Sequence, residues 1–197
     1  MTRNEIRRQM RVKRRALSLV QREHAARCLL TQLARHFRFA SFQNIACYLT
    51  NDGELSPHFF VEACWRQRRK IYLPVVQGRA FARMRFAPFD KTSVMQKNRF
   101  GIPEPKTRMA NMRDGRRIDL VLMPLVAFDA QGNRLGMGGG FYDRTFAYLR
   151  HRRHWCKPIL LGVAYDFQQM DSLPIESWDV PLDGIVTETR LIWFKNR

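Results

Sequence analysis

The sequence predicts an α/β protein in which a mainly parallel sheet is flanked by helices. Short runs that are nearly continuous in apolar residues alternate with longer segments whose apolar residues recur at helical spacing. Continuous apolar runs are typical of strands buried on both faces, and their alternation with helices is typical of parallel sheets. No linker or change in composition divides the 197 residues, so we expect residues 1–197 to form a single domain.

Two capping boxes predict the first two helices. Thr2 and Glu5 form one box and Ser18 and Gln21 form the other, so helices should begin near residues 3 and 19. Apolar side chains recur along the second helix at helical spacing: Ala25, Ala26, Leu29, Leu30, Leu33 and Phe37. The first helix is rich in arginine, and its few apolar positions are Ile6, Met10 and Val12. Such a helix either lies solvated on the surface or contributes to a binding site.

A strand, a turn and a helix are predicted next. Residues 45–49 are apolar and partly β-branched, which indicates a buried strand, and residues 51–53, Asn-Asp-Gly, end it in a turn. Glu54 follows at the mouth of that turn. Ser56 and Pro57 then supply the N-cap and the first residue of a third helix.

The remainder of the chain continues the alternation. Apolar runs predict further strands at residues 71–76, 81–86, 118–124, 159–164, 185–187 and 191–194. The strand at 81–86 should be half exposed, because arginines alternate there with apolar residues. Periodicity fades over residues 88–117, which we expect to form a long surface loop, and residues 142–150 are expected to be helical.

The charge of the chain is strongly positive, with a formal net charge of +18. Such a field attracts nucleic acid, acidic lipid, nucleotides and polycarboxylates, and does not choose among them. No apolar run approaches the roughly 20 residues of a membrane span, and no apolar stretch follows the N-terminal charges. We therefore expect a cytoplasmic protein without a membrane partner.

The cysteines indicate reduced thiols and neither a disulfide framework nor a zinc site. They are widely spaced and contain no C-x-x-C pair: Cys28, Cys47, Cys64 and Cys156. The metal-like cluster His151, His154 and Cys156 is interleaved with arginines that would repel a cation, so we expect no zinc there.

The most distinctive stretch spans residues 134–144, Arg-Leu-Gly-Met-Gly-Gly-Gly-Phe-Tyr-Asp-Arg, and follows the apolar run at 118–128. It contains four of the eleven glycines of the chain, flanked by Arg134 and Arg144. Glycine lets backbone N–H groups converge on an anion, and arginines neutralise phosphate. The stretch, called the glycine loop below, is thus predicted to hold phosphate, the alternative being a tight turn that needs glycine only for its geometry.

The glycine loop does not match the familiar phosphate motifs. Counted from Gly136, a G-x-G-x-x-G fingerprint would place its third glycine where Phe141 stands. A Walker loop requires a Gly-Lys pair, which the chain lacks. Backbone donors leading into the start of a helix remain as the phosphate-binding feature.

Two aspartates are candidates for a metal site beside the phosphate. Asp143 lies at the end of the glycine loop, and Asp179 is a plausible second carboxylate. Mg²⁺ prefers one or two carboxylates together with phosphate oxygens and water. The alternative for Asp143 is a helix cap or an ion pair with Arg144. No Ser/His/Asp or Cys/His arrangement is suggested by position, which suits phosphoryl transfer, a reaction that depends mostly on positioning and charge.

The central block resembles the signature of the 5-formyltetrahydrofolate cyclo-ligases, also called methenyltetrahydrofolate synthetases. The similarity comprises residues 121–129, Val-Leu-Met-Pro-Leu-Val-Ala-Phe-Asp, the Gln-Gly-Asn turn at 131–133 and the glycine loop. Supporting similarities are spread over nearly the whole chain: the arginine-rich first helix, Glu54 after its strand, Leu73-Pro74, residues 101–105, Leu173-Pro174, Trp178-Asp179 and Val186-Thr187.

The resemblance implies a single α/β domain that uses Mg-ATP to convert 5-formyltetrahydrofolate into 5,10-methenyltetrahydrofolate, ADP and phosphate, and we expect a monomer. ATP phosphorylates the formyl oxygen, N10 of the folate then attacks, and phosphate leaves. The substrate would be the folate itself, with a polyglutamylated form left open. Alternatives are a basic nucleic-acid-binding protein, which leaves the glycine loop unexplained and lacks a recognisable motif, and an ATP-dependent kinase or ligase of another metabolite.

The resemblance also implies site residues. Those expected to bind ATP are Arg3, Arg7, Arg134, Leu135, Gly136, Met137, Gly138, Gly139, Gly140, Phe141 and Tyr142. Those expected to contact the folate are Leu49, Glu54, Met137, Gly138, Gly139, Gly140, Phe141 and Tyr142. The catalytic residues would be Arg134, Tyr142 and Asp143, and the metal ligands Asp143 and Asp179.

Three positions depart from the family pattern. Arg3 stands where lysine is usual, so a forked contact would replace a point-charge contact. Gly139 stands where some members carry lysine, which leaves open the cation that meets the transferred phosphoryl group. Phe141 replaces a common tyrosine and removes one hydroxyl from the folate side.

Overall fold

The computed structural model describes residues 1–36, 41–76, 83–99, 101–151 and 157–194. The helices are α1 (Arg3–Ala16), α2 (Leu19–Ala34), α3 (His58–Arg66) and α4 (Phe141–Phe146). The strands are β1 (Asn44–Ala46), β2 (Lys70–Val75), β3 (Arg85–Phe89), β4 (Met95–Lys97), β5 (Pro103–Pro105), β6 (Leu120–Pro124), β7 (Ala127–Phe128), β8 (Arg134–Leu135), β9 (Ile159–Val163), β10 (Gly184–Val186) and β11 (Leu191–Trp193).

Within these residues, seven strands form one mixed sheet in the order β11-β10-β9-β6-β1-β2-β3. The central pairs β10–β9, β9–β6, β6–β1 and β1–β2 are parallel, whereas β11 and β3 pair antiparallel at the two edges. The chain runs from β1 to β2 on one side and later returns to β6 on the other side of β1. The carboxyl ends of β1 and β6 therefore meet at the topological switch point, where open α/β sheets bind ligands.

The sheet is buried on both faces, which explains the continuous apolar runs. In β6, Leu120 and Leu122 face the core under α2 and α3, whereas Val121 and Met123 face the core that includes Phe146 of α4. All four side chains are at most 1% exposed. The α/β class and the mostly parallel sheet predicted from the sequence are confirmed.

Helix α1 packs over the end of the sheet at a third, smaller core. Its Ile6 and Met10 contact Val126, Ala127 and Leu135, which belong to the segment that follows β6 and includes the hairpin β7–β8. Both predicted capping boxes are present, so α1 and α2 begin where the sequence places them. Of the apolar positions predicted for α1, Val12 is exposed; Phe37, predicted for α2, lies outside the described residues.

The sequence prediction was wrong in detail between β2 and β6. The strand predicted at 81–86 is β3, at Arg85–Phe89, and of its predicted residues 81 and 82 lie outside the described part. The predicted loop began at Pro88, which lies within β3; β3 is an edge strand, and proline is tolerated there. The predicted loop at 88–117 also contains the hairpin β4–β5, whose three-residue strands are too short to show a period.

Smaller differences concern two helix ends. Helix α3 begins at His58 with Pro57 at the N-cap, so Ser56, which was predicted to be the N-cap, lies one residue before it. The Ser56 hydroxyl still accepts a hydrogen bond from the His58 amide at 3.3 Å. Helix α4 ends at Phe146 and continues as a 3-10 helix over Ala147–His151, which together account for the predicted helix at 142–150.

We expect Leu29→Ala to lower the free energy of unfolding by about 2–5 kcal/mol, because a large buried side chain is lost without a change in helix propensity. Leu29 of α2 is 0% exposed and packs in the core over β1 and β6. Leu19→Ala, in the first turn of the same helix at 82% exposure, is the matched control and should change stability by less than about 0.5 kcal/mol. Urea denaturation of both variants measures the difference, and equal values would contradict the assigned core.

Candidate active site

The glycine loop leaves the hairpin β7–β8 and leads into α4, at the carboxyl end of β6. Gly138 and Gly140 have φ values of 95° and 61°, which other residues rarely adopt. Gly140 is the N-cap of α4, and because it has no side chain it does not cap the amides of the first turn. Residues 137–139 of the loop are exposed, with Met137 at 51%, whereas Arg134 and Leu135 are buried. A ligand can therefore approach the backbone at the tip of the loop.

Two arginines hold the backbone of the glycine loop through its carbonyl groups. Nε of Arg7 donates to the carbonyl of Gly136 at 2.9 Å, and Nη2 of Arg144 donates to the carbonyl of Gly139 at 2.7 Å. A Cβ on Gly140 would lie 2.7 Å from Nη1 of Arg144. The carbonyls therefore turn toward guanidinium groups, and α1 brings Arg7 to the loop as the resemblance implies.

Gly139 is fixed by the ring beside it. A Cβ there would lie 2.8 Å from the ring of Phe141, so a side chain at 139 would require that ring to move. The guanidinium of Arg144 lies 5.1 Å from the centre of the same ring, a cation–π distance. At this position Arg144 supplies a positive charge where some relatives were expected to carry lysine.

Both candidate metal ligands are paired with arginine. Oδ1 of Asp143 accepts from Nη2 of Arg134 at 2.7 Å and from the Val180 amide at 3.0 Å. Oδ2 of Asp179 accepts from Nη2 of Arg3 at 2.5 Å and from the Glu176 amide at 2.9 Å. The bond to Val180 joins the two segments, so the structure brings the backbone next to Asp179 to the Asp143 carboxylate.

These pairs answer two questions left open by the sequence. The described ion-pair partner of Asp143 is Arg134 at the other end of the glycine loop, rather than the neighbouring Arg144. The guanidinium of Arg3 is forked, since its Nη1 lies 3.9 Å from Oε1 of Glu176 while Nη2 binds Asp179. Among the residues that the structure describes, no three His, Cys, Asp or Glu side chains converge as a ready-made metal site.

Glu54 lies at the other half of the switch point, after β1. Its carboxylate caps its own turn, since Oε2 accepts from the Asn51 amide at 3.0 Å. Burial raises the pKa of Glu54 from 4.5 to about 7, although the Asn51 hydrogen bond and the Arg14 guanidinium oppose the shift. Near neutral pH this carboxyl therefore changes its charge and is well suited to accept hydrogen bonds from a buried ligand.

Tyr142 of α4 lies within electrostatic range of Glu54. Burial raises the pKa of its hydroxyl, and the Glu54 charge raises the pKa further while Arg134 lowers it. The same carboxylate adds to the burial effect on the pKa of Tyr48, whose hydroxyl donates to the carbonyl of Leu55. The charge of Glu54 thus acts on Tyr142 of the glycine loop, although 80 residues or more separate the turn from the loop in sequence.

A cavity of about 320 Å³ opens beside the turn at residues 51–53 that follows β1. Leu49 lines it together with aromatic residues, of which Trp65 donates from Nε1 to the Phe89 carbonyl at 3.1 Å. The other lining residues are Tyr48, Thr50, Ser56, Pro57, His58, Val61, Glu62, Leu73 and Pro103; Glu54 does not line the cavity and lies in the turn between Thr50 and Ser56. An apolar and aromatic cavity with a few polar groups is typical of a site for a flat organic ring.

Sequence reasoning missed Arg14, which is 0% exposed and is the most buried charge among the described residues. Nη2 of Arg14 binds Asp52 at 3.0 Å and Nη1 lies 3.9 Å from Glu54. A signal was present: Ile6, Met10 and Arg14 recur every four residues on the buried stripe of α1. The abundance of arginine in that helix concealed it.

The described part of the chain contains Cys28, Cys47 and Cys64. Cys28, Cys47 and Cys64 are free thiols, whereas Cys156, His154 and the side chain of His151 lie outside the described residues. None of the described helices combines the length and apolar character that crossing a membrane requires.

The sequence profile of the 5-formyltetrahydrofolate cyclo-ligase family matches residues 1–188. The chain therefore belongs to this family, and the resemblance read from the sequence is confirmed. Neither the nucleic-acid-binding alternative nor the kinase of another metabolite is supported by this assignment.

Characterised relatives agree with the assignment. The 5-formyltetrahydrofolate cyclo-ligase of Haemophilus influenzae is 37% identical over 184 residues, covering 93% of this chain and 96% of the relative. The Escherichia coli K12 protein of the same name is 35% identical over 184 residues, covering 93% and 98%. Among solved structures, the Aquifex aeolicus 5,10-methenyltetrahydrofolate synthetase superposes with a TM-score of 0.82 at 28% identity, covering 100% of this chain and 95% of the other.

We expect Glu54→Gln to raise the free energy of unfolding at about pH 8 by about 1–3 kcal/mol. The folded-state pKa of about 7 exceeds the ordinary 4.5, so the carboxyl stabilises the fold most at low pH and this contribution is lost as the pH rises through 7. Its surroundings include charged and titratable groups: Arg14, Asp52, Tyr48, Tyr142 and Tyr165.

Denaturation of Glu54→Gln at about pH 8 and about pH 4 measures this effect, and the gain should vanish at the lower pH, where the wild-type carboxyl is protonated in both states. Glu62→Gln removes an exposed carboxylate and serves as the control, with no gain at either pH. A lower free energy of unfolding for Glu54→Gln than for the wild type at pH 8 would contradict the prediction, because it would show that contacts in the fold offset the cost of burying the carboxylate.

Proposed function

We propose that this chain catalyses the ATP-dependent cyclisation of 5-formyltetrahydrofolate to 5,10-methenyltetrahydrofolate, with release of ADP and phosphate. The observation that carries the proposal is the placement of the glycine loop and Glu54 at one switch point, in a chain of the cyclo-ligase family. A phosphate-binding loop and a buried carboxylate beside an aromatic cavity suit two different ligands that must meet.

The chemistry needs little from the protein beyond position and charge. The formyl oxygen takes the γ-phosphoryl group as the bond from γ-phosphorus to the bridging oxygen of ADP breaks. N10 then attacks the formyl carbon and loses its proton, the carbon–oxygen bond breaks, and phosphate leaves with that oxygen. Because both nucleophiles belong to the substrate, the protein contributes orientation and neutralisation of the phosphates.

The nucleotide subsite in this proposal is the glycine loop with its arginines. The backbone from Leu135 to Gly140 would face the phosphates, and Arg134 would neutralise the transferred group. Arg3 and Arg7 would reach the nucleotide from α1, which already contacts the loop through Arg7. Arg144, which binds the Gly139 carbonyl, is our candidate for the cation beside the reacting phosphoryl group.

Asp143 and Asp179 would hold Mg²⁺ together with phosphate oxygens and water. The donor set fits, because both described hydrogen bonds of each carboxylate end on one oxygen, Oδ1 of Asp143 and Oδ2 of Asp179. The metal would supply positive charge to the phosphates. Arg134 and Arg3 hold the carboxylates in place before the ligands arrive.

The folate subsite would be the cavity beside Leu49, with Glu54 accepting hydrogen bonds from the amino and ring N–H groups of the pterin. Tyr142 and Phe141 would lie between the folate and the nucleotide. We further propose a cytoplasmic monomer, and the free thiols of Cys47 and Cys64 support a reducing compartment.

The direct test incubates the purified protein with 5-formyltetrahydrofolate and Mg-ATP and follows the absorbance of methenyltetrahydrofolate. We expect ATP-dependent product formation, with one ADP released per folate converted. Omission of ATP is the control and should abolish the signal. A folded protein that forms no product in the complete mixture would refute the proposal.

We expect Asp143→Asn to lower kcat by about 100-fold or more at saturating ATP, because the neutral amide is a poor Mg²⁺ ligand. The Asn side-chain oxygen can still accept from Arg134 and Val180, so the melting temperature should stay close to that of the wild type. Asp171→Asn, at an exposed position, controls for loss of one negative charge. Near-normal turnover of Asp143→Asn across Mg²⁺ concentrations would remove Asp143 from the metal site.

A further inference from the structure

Arg14 is buried in a place where charge is costly. It lies on the apolar stripe of α1 that also carries Ile6 and Met10, and its side chain is 0% exposed. Its Nε has no hydrogen-bond partner among the described residues. A buried ion pair contributes little net stability, and an apolar side chain of similar volume is often equally stable there. Stability alone therefore does not account for an arginine at this position.

The guanidinium of Arg14 contacts both loops that meet at the switch point. Nη2 binds Oδ2 of Asp52 at 3.0 Å, in the turn after β1. Nη1 donates to the carbonyl of Leu125 at 3.4 Å, directly after β6, and lies 3.9 Å from Oε1 of Glu54. One side chain thus joins the turn that carries Glu54 to the segment that leads into the glycine loop.

The turn is held closely against α1. Asp52 accepts hydrogen bonds from Arg11 at 2.5 Å and from Arg15 as well as from Arg14. A Cβ on Gly53 would lie 3.0 Å from the Arg14 carbonyl, so the backbones of the turn and the helix are nearly in contact. Within this contact, Arg14 is the arginine that also faces Glu54.

We infer that Arg14 is a positioning residue that acts through Asp52 and Glu54 to fix the folate subsite. The inference rests on the proposed function, since it assigns a role within the same site. Arg14 holds the turn through Asp52 and places positive charge beside the inner oxygen of Glu54, so that the carboxylate is aimed at the folate. Glu54 touches the substrate, whereas Arg14 does not.

The contacts and the charge of Arg14 determine which kinetic parameters its loss should change. Arg14 contacts Asp52 and Glu54 in the folate turn and the Leu125 carbonyl after β6, whereas Arg3 and Arg7 contact Asp179 and the glycine loop itself. Loss of Arg14 should therefore raise KM for the folate while KM for ATP changes little. The Arg14 charge also lowers the pKa of Glu54 against the effect of burial, so its loss should move the acid limb of the folate kcat/KM to higher pH.

The test compares Arg14→Met, Arg14→Lys and Arg8→Met, the last being an exposed residue of the same helix. We expect Arg14→Met to raise KM for 5-formyltetrahydrofolate about tenfold with KM for ATP within about threefold, and to shift the acid limb upward. Arg14→Lys should recover part of both effects, and Arg8→Met should match the wild type. An unchanged folate KM and pH profile in Arg14→Met, or an equal rise in both KM values, would overturn the inference.

A double-mutant cycle with Glu54→Gln tests the route of the effect. If Arg14 acts through Glu54, Arg14→Met should raise the folate KM by less than about twofold when Glu54→Gln is already present. Additive effects would refute the route. Should Arg14→Met fail to fold, Arg14→Lys completes the same cycle. Absence of turnover in the wild type refutes the proposed function instead, so the two failures are distinguishable.

Discussion

The parallel pairing of β1 with β6 is the constraint on which the site depends. These two strands are separated by more than 70 residues of sequence, yet Ile45 pairs with Leu120 and Ala46 with Val121. The pairing sets the turn after β1 beside the segment after β6, which brings a buried carboxylate to a glycine-rich backbone. Burial on both faces of the sheet fixes the register of this pairing, because a slip of one residue would turn each side chain of the strand toward the opposite core.

Helix α1 reinforces this arrangement from outside the sheet. Its apolar stripe anchors it over the segment after β6, and its arginines extend to the glycine loop, to Asp179 and to Asp52. The helix was ambiguous in sequence, because few of its residues are apolar. In the structure its charges are used as specific ligands for carbonyls and carboxylates, and the alternative of a solvated surface helix describes only its outer face.

The sequence allowed the fold class, most elements and the glycine loop to be predicted, because each depends on local periodicity, capping or composition. The pairing of Asp143 with Arg134 was not predictable, since it depends on how the glycine loop turns between β8 and α4. The burial of Arg14 and the position of Arg144 beside Gly139 likewise depend on tertiary contacts. The bounds of β3 were displaced and the hairpin β4–β5 was missed, because an edge strand with a proline and strands of three residues give too weak a periodic signal.

The ion pairs around the glycine loop bear on how ionic strength acts on this protein. Arg3, Arg7, Arg134 and Arg144 surround the loop, but Asp143, Asp179 and Glu176 lie among them and offset most of their charge. The formal net charge of +18 is therefore carried mostly by residues elsewhere in the chain. Added salt acts chiefly on exposed charges, where it screens non-specific attachment to polyanions, and less on the partly buried pairs around the glycine loop.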